Sequence, residues 1–477
     1  MDEDVIFPSD TDLDFSFTSC ASNTSTDRTF ASSSARSSFT LSFNECRFST
    51  STSEAHPHQR SDPHWSAINA ATNLSSDGSL HLRHLKLVRH IGSGNLGRVF
   101  LCRLKDYDGA NFALKVVDKD VLTAKKLSQV QMEAQILSTV DHPFLPTLYA
   151  HLEVSHYSCL LMDYCPGGDL HALLLKQPEN RFRLNAVRFL TAEVLVALEY
   201  LHAMGVVYRD LKPENVLIRE DGHIMLSDFD LCFKADVVPT IETTTTTDTA
   251  TSVKSTQFRW KKKKKSHYSY RYSCFGGRGW KEDEVDVTRE FVAEPTAAFS
   301  KSCVGTHEYL SPEVLSGSGH GNGVDWWAFG VFVYELLYGR TPFKGPTKEA
   351  TLRNIASLRP FRFPESDVTV AGEEGEEEAR DLIQRLLVKD PRRRLGCAKG
   401  ATDIKKHPFF HGIKWPLIRT YRPPEEVRGL LQSRRKSSLV SSRVSATSSS
   451  SSSSSRRRRW SWKSLGDLRR RRGEIRR

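Results

Sequence analysis

Tyr208-Arg209-Asp210-Leu211-Lys212-Pro213-Glu214-Asn215, with Asp228-Phe229-Asp230 following, is the stretch of this 477-residue chain that decides its fold. Asp210 has an ammonium two residues on and a carboxamide five residues on, and Asp228 adds a second carboxylate. A carboxylate beside a cation suits a proton acceptor placed where negative charge develops. Asn215 and Asp228 are hard oxygen donors of the kind Mg2+ takes. Either half alone is an ordinary Asp-bearing turn; both in this order, behind a glycine-rich segment, are not.

That segment is Ile91-Gly92-Ser93-Gly94-Asn95-Leu96-Gly97-Arg98-Val99. Its glycines let the backbone approach phosphates and aim N–H groups at them, and Val99 is placed to cover a base. Alone, such a loop fits a dinucleotide site or a chance turn equally well. Here β-rich runs flank it on both sides (Leu85-Lys86-Leu87-Val88 and Val99-Phe100-Leu101), and no helix opens on it. Lys115 lies in the next run but one, Phe112 to Val117, where a cation reaches phosphates. Glu133, in a stretch of helical composition over 121–139, is its candidate partner.

The organisation around these motifs changes along the chain. Residues 1–84 are rich in Ser, Thr and Asp without sustained period, which predicts a disordered region. Residues 85–412 read as a catalytic domain. Ser158–Asp163 is a further strand, and beyond Gly168 the pattern becomes helical. Val187, Leu190, Val194, Leu198 and Leu201 form one apolar stripe behind a predicted Asn185 cap, and Val324–Leu337 is apolar almost all round, as in a buried helix. Residues 236–298, with Thr243–Thr247 and Lys261–Lys265, lack a core period and read as an insertion, functional or disordered. The run Glu373–Glu378 reads as a smaller solvated insertion. Residues 413–477 read as an extension and a basic, disordered tail. Glu313 and Arg394 are a predicted buried ion pair.

The nine cysteines form no CxxC pair, which argues against zinc or a disulfide framework and for a reducing compartment. The acidic start Met1-Asp2-Glu3-Asp4, the lack of an apolar run of membrane-spanning length, Asp2 and the lack of a prenylation box predict a soluble or peripheral protein. The formal net charge of +11 is an average of unlike parts. Residues 258–281 hold nine Lys/Arg and no acid, residues 432–477 hold fifteen Lys/Arg against Asp467 and Glu474, and the remainder is net acidic.

Over roughly residues 85–412 the motifs resemble those of protein kinases, and Tyr208-Arg209-Asp210 with His407-Pro408-Phe409-Phe410 is similar to the AGC group of Ser/Thr kinases. Kinases nearly always carry Gly after the Asp-Phe pair. Asp230 in its place, with a long insertion before Ser302, looks like the plant AGC VIII branch. Within that branch, Thr26-Asp27-Arg28-Thr29-Phe30 through Ser37-Ser38-Phe39-Thr40-Leu41-Ser42-Phe43 resembles the N-terminal signature of WAG-type kinases, relatives of PINOID.

The resemblance implies an α+β, bilobal kinase fold with an antiparallel-sheet N-lobe and a helical C-lobe, acting as an ATP- and Mg2+-dependent Ser/Thr kinase. It implies Asp210 as catalytic base, Lys212 at the γ-phosphoryl group, and the Lys115–Glu133 pair on the α- and β-phosphates. Asn215 and Asp228 would hold the metal. ATP would lie against Ile91, Gly92, Ser93, Gly94, Asn95, Leu96, Gly97, Val99 and Lys115, with Met162 as gatekeeper, the backbone of Asp163 and Cys165 on adenine, and Asp169 on the ribose. Asp169, Glu214 and Glu335 match an acidic cluster that binds Arg upstream of a target Ser. Thr306 would restrict the acceptor to Ser/Thr. A phosphate on Ser302 would pair with Arg209 and order the loop. The family phosphorylates hydrophilic loops of PIN auxin efflux carriers and so regulates polar auxin transport. An upstream activating kinase is implied, although no Phe-x-x-Phe docking motif is found near the C-terminus. Asp230 in place of Gly is expected to hold the loop in its metal-bound arrangement, because Asp tolerates positive φ less well.

Phe258-Arg259-Trp260, five lysines, then Tyr268, Tyr270, Arg271, Tyr272, Phe275 and Trp280 interleave cations with rings. That pattern suits anionic lipids at the cytoplasmic face of the plasma membrane. A nuclear signal, or a solvated loop, remains the alternative reading of the same run. No sequence-specific nucleic-acid partner is expected, and a monomer is. Arg434-Arg435-Lys436-Ser437-Ser438 fits an autophosphorylation target. A second reading of the whole chain is a membrane-held pseudokinase scaffold, against which stand Lys115, Glu133, Asp210, Asn215 and Asp228, all present.

Overall fold

The computed structural model describes residues 62–73, 75–105, 107–245, 252–257, 287–357, 359, 361, 363 and 374–433. Helix α1 (Pro63–Asn73) precedes strands β1 (Leu85–Ser93), β2 (Arg98–Leu104) and β3 (Tyr107–Asp118), then α2 (Ala124–Leu137), β4 (Leu148–Glu153) and β5 (Tyr157–Asp163). The strands form one antiparallel sheet in the order β1-β2-β3-β5-β4. Alternation explains it: Phe100, Cys102 and Leu104 of β2 and Ala110, Phe112, Leu114 and Val116 of β3 point to one core. Thr123 caps α2 by accepting from Lys126 N.

The second lobe holds α3 (Leu170–Leu174), α4 (Leu184–Ala203), β6 (Val206–Val207), β7 (Val216–Ile218), β8 (Ile224–Leu226), β9 (Phe233–Lys234), β10 (Thr240–Thr245), β11 (Ser252–Gln257), β12 (Val287–Val292), α5 (Pro312–Leu315), α6 (Gly323–Tyr338), α7 (Lys348–Ala356), α8 (Glu376–Leu386) and α9 (Ala401–Lys405). Every residue of α6 from Gly323 to Tyr334 is buried, including Trp326 and Trp327, so this helix is the axis of the lobe. Burying side chains of that size contributes roughly 1.5–3 kcal/mol each, which fixes whatever α6 carries. Among the described residues no helix is long and apolar enough to cross a membrane.

The structure moves several boundaries. Residues 63–73, placed in the disordered region, form α1, because Ala67 and Ile68 find a partner surface on the sheet beside Phe112 and Tyr149. The lobe also continues past 412: a turn over Trp415–Thr420 and a helical segment over residues 425–433 bury Ile418, Val427 and Leu431 in its core. Asn185 does not cap α4; the helix starts at Leu184, with Arg183 at the cap. Glu376, Glu377 and Glu378 form the first turn of α8, where the helix dipole favours them, so these three belong to the lobe and not to an insertion; Glu373 lies outside the described residues.

The insertion is organised where it leaves and rejoins the lobe. β10 lies between β11 and β12, with Thr240 opposite both Gln257 and Val292. This stem docks on the segment before and through α9: Lys399 Nζ is 2.7 Å from Glu242 and 3.3 Å from Glu290, and Lys406 also pairs with Glu290. The basic–aromatic run 258–281, the signature within 26–43 and Ser437/Ser438 lie outside the described residues.

Candidate active site

β6 delivers Tyr208-Arg209-Asp210 to the face of the lobe, and buried α6 holds it there. Asp325 Oδ2 accepts from Tyr208 N at 2.8 Å and Oδ1 from Arg209 N at 2.7 Å. Those bonds fix Arg209 at φ +65, a conformation that a non-glycine residue adopts only under such constraint. The two loops are stitched together: Tyr208 Oη donates to Ser227 O, and Ser227 N donates to Asn215 O at 2.8 Å.

Asp210 stands at the centre of a hydrogen-bonded group. Lys212 Nζ is 2.7 Å and Asn215 Nδ2 2.8 Å from Asp210 Oδ2, and Thr306 Oγ1 donates to Oδ1 at 3.3 Å. Lys212 Nζ also reaches Thr306 Oγ1 at 2.9 Å, so Thr306 sits beside Asp210 as expected. Burial raises the Asp210 carboxyl above its ordinary pKa, against the pull of Lys212.

Across the cleft, Lys115 Nζ lies 2.7 and 2.8 Å from the Glu133 oxygens and 2.9 Å from Asp228 Oδ1. Burial alone would lower the lysine pKa, but Glu133 and Asp228 hold it above its usual value. The turn after β1 closes through Gly94 N on Gly97 O at 2.9 Å. A Cβ on Gly97 would stand 2.5 Å from Val116 O, so only glycine allows that approach, and a Cβ on Gly94 would lie 3.7 Å from Asp228 Oδ2. The glycine turn thus overhangs Asp228. Ile91, Gly92 and Ser93 end β1, with Gly92 paired to Val99, and Asn95 accepts from Lys126 Nζ at 3.3 Å. Leu96 turns away into a small apolar cluster with Val117 and Val130.

At the end of β5, Met162 pairs with Ala113 and Leu148. The Asp163 carboxylate accepts from Thr147 N at 2.9 Å and lies 3.0 Å from Tyr149 Oη. The buried Cys165 thiol faces Met225 Sδ at 3.6 Å. Asp169 caps α3, accepting from Ala172 N at 2.7 Å. Glu335 accepts from Tyr309 Oη, and burial, with the Glu214 charge adding to it, raises the Glu335 pKa. Glu214 lies 4.0 Å from His171.

Arg209 does not face Ser302 directly: its Nη1 donates to Ser300 Oγ at 3.1 Å, and Ser300 Oγ lies 2.9 Å from the exposed Ser302 Oγ. The guanidinium is held back by Leu231 O at 2.6 Å and by the Phe233 ring at 4.6 Å. Asp230 itself stays out of the left-handed region, which its residue type disfavours. Asp228 takes φ +58, while Asp230 is a buried carboxyl pushed up to about 7 by burial and by Asp228. The expected Glu313–Arg394 pair is present at 2.7 and 2.9 Å.

Three residues of this framework escaped the motifs: Asp325, and behind it His202 and Glu294, hydrogen-bonded to it in line. A lone Asp inside the apolar run of α6 is itself a signal, because a buried carboxylate needs partners. Glu294 carries none, since its partners are far away in sequence.

A glycine turn over one carboxylate, a lysine bound to a helical glutamate, and a second buried carboxylate beside a lysine and an asparagine together define a phosphotransfer cleft. The model of the protein kinase domain matches residues 85–253 and 287–410, and the chain belongs to that family. It is 62% identical over 439 residues to serine/threonine-protein kinase WAG2 of Arabidopsis thaliana, covering 90% of this chain and 86% of that protein. It is 58% identical over 483 residues to WAG1 of the same plant (98% and 94% covered), and 46% identical over 408 residues to protein kinase PINOID 2 of Oryza sativa subsp. japonica (77% and 82%). This chain is a serine/threonine protein kinase of the plant AGC VIII branch, of WAG and PINOID type.

Proposed function

We propose that the enzyme uses ATP with Mg2+ to phosphorylate serines preceded by arginine in the hydrophilic loops of PIN auxin efflux carriers, at the cytoplasmic face of the plasma membrane. The observation that carries the chemistry is the convergence of Lys115, Glu133 and Asp228 opposite Asp210, Lys212, Asn215 and Thr306.

The donor set fits Mg2+. Asn215 turns its amide nitrogen to Asp210, which directs its oxygen elsewhere, and Asp228 offers a carboxylate beneath the glycine turn. Mg2+ takes waters and nucleotide phosphates for its other ligands, so two protein donors suffice. Asn215 and Asp228 would hold the metal, which would supply positive charge against the charge that develops on the phosphates.

The chain supplies the rest. Lys115, fixed by Glu133, anchors the α- and β-phosphates. Asp210 accepts the substrate hydroxyl proton, and its burial raises its proton affinity for that task. Lys212 stands where the transferred group passes, and Thr306 orients the hydroxyl at the base. Glu214 and Glu335, joined by Asp169, form the acidic surface for an upstream arginine. The alternation of cations and rings over 258–281 supports membrane attachment, each cation contributing about 1 kcal/mol near anionic lipid. Phosphorylation of Ser302 by an upstream kinase would engage Arg209 through a rearrangement of Ser300. The complete cleft leaves the scaffold reading without support.

The test is transfer of labelled phosphate onto a purified PIN hydrophilic loop by wild type and by Asp228→Ala. Transfer that vanishes in the variant is expected; no transfer by wild type, with activity on a generic Arg-containing peptide, overturns the substrate assignment alone.

A further inference from the structure

We propose that Glu294, where the insertion rejoins the lobe, is a positioning residue for the catalytic loop, acting through His202 and Asp325. The inference rests on the placement of Asp210 as catalytic base. Glu294 follows β12 by two residues and is buried. Its Oε2 is 2.7 Å from His202 Nδ1 and 2.8 Å from Asn322 Nδ2, and Oε1 accepts from Ala401 N at 3.4 Å. The other nitrogen of His202 is 2.9 Å from Asp325 Oδ2, the same oxygen that accepts from Tyr208 N. One line of hydrogen bonds therefore runs from the insertion to the backbone two residues before Asp210.

The fit is specific. Gly400, at φ +59, presents no side chain to Glu294; a Cβ there would fall 1.6 Å from Glu294 Oε1. The docked stem, with Lys399 on Glu242 and Glu290, and Thr402 Oγ1 reaching Phe291 O at 3.4 Å, brings the chain down onto this pocket. Inside it, an imidazole between two carboxylates is a buried charge group that holds only while all partners are present. Removing Glu294 leaves Asp325 as the sole anionic partner of His202, and the carboxylate that fixes Tyr208 N and Arg209 N is drawn towards the ring. Arg209, at φ +65, has no intrinsic reason to stay in place once those bonds loosen. The insertion is in this sense a component of the active lobe, fastened to the catalytic loop by one carboxylate.

The test uses the full chain, with Glu294→Ala, Glu294→Gln and Gly400→Ala assayed on an Arg-containing peptide alongside hydrogen exchange at the amides of Tyr208 and Arg209. The expected result for Glu294→Ala is a kcat lowered about 10- to 100-fold, the loss that follows a misplaced catalytic group, at nearly unchanged KM for ATP. Glu294→Gln, which keeps the shape and loses the charge, falls between it and wild type. Gly400→Ala, which displaces Glu294 without removing it, follows Glu294→Ala. Exchange at both amides quickens in the same order. Folded variants with wild-type kcat and exchange, or with only a lower melting temperature, overturn the proposal. If Glu294→Ala fails to fold, Glu294→Gln decides alone by the same two readouts. Transfer by wild type and none by Asp228→Ala keeps the kinase reading separate.

Discussion

Lys115 Nζ lies 2.7 Å from Glu133 Oε1, which fastens β3 to α2 inside one lobe, while Asp228, 2.9 Å from the same nitrogen, fastens both to the other lobe. Glu133→Gln is therefore expected to release Lys115 towards Asp228 and lower kcat/KM about 10²–10³-fold, as loss of one preorganised charge partner does. Steady-state kinetics with varied ATP checks this, and melting temperature shows that the variant is folded.

The pair of Arg394 and Glu313 tests a different effect. Arg394 also donates to Gly323 O at 2.7 Å and lies over the Trp327 ring at 5.1 Å, so it staples α5 to the start of α6. Glu313→Gln or Arg394→Met leaves one buried charge uncompensated and is expected to cost about 3–5 kcal/mol. Urea unfolding of both variants measures it; a cost below 1 kcal/mol for either contradicts the reading.

His202 gives the fold a pH dependence. Burial would lower its pKa, but Glu294 and Asp325 raise it to about 10, with the Trp326 ring against its edge. The folded value exceeds the unfolded one, so its contribution is complete below pH 6.5 and is lost as pH rises towards 10. Unfolding free energy is expected to fall across that window by about 3–5 kcal/mol through this group. His202→Gln should flatten that slope; an equal slope in wild type and variant rejects the assignment.

Helix α1 reaches the segment next to Met162 by a short polar path. Tyr149 Oη donates to Asp62 Oδ2 at 2.5 Å and lies 3.0 Å from Asp163 Oδ1. Tyr149→Phe strands these acceptors and is expected to destabilise by about 1–3 kcal/mol. Ile68→Ala, which opens the apolar contact instead, is expected to cost about 2–5 kcal/mol if α1 packs as firmly as a core helix. Thermal unfolding and limited proteolysis at residues 62–73 compare the two.

Much of this was legible from residues alone because it is periodic or local. The alternation in Phe100-Leu101-Cys102 and the unbroken apolar run of α6 announce a sheet and a buried axis. Lys115, Asp210, Lys212, Asn215 and Asp228 declare themselves by spacing. What stayed hidden depends on partners remote in sequence. Helix α1 is short and polar, and its buried face makes sense only beside Tyr149 and Phe112. Arg209 is turned to Ser300 by Phe233 and Leu231 O, a preference set by three segments at once. The left-handed conformation at Asp228 is likewise set by the surrounding fold and not announced by its residue type.

The contact between Gly400 and Glu294 has a consequence for descent. A side chain at 400 pushes the Glu294 carboxylate from its place, so a lineage that gains one there disturbs the other. The two positions are therefore coupled, and the insertion that rejoins through Glu294 is seated as it is because the backbone of the lobe is bare at that point. A pairwise survey of relatives should find larger residues at the Gly400 position only where the Glu294 position has lost its reach.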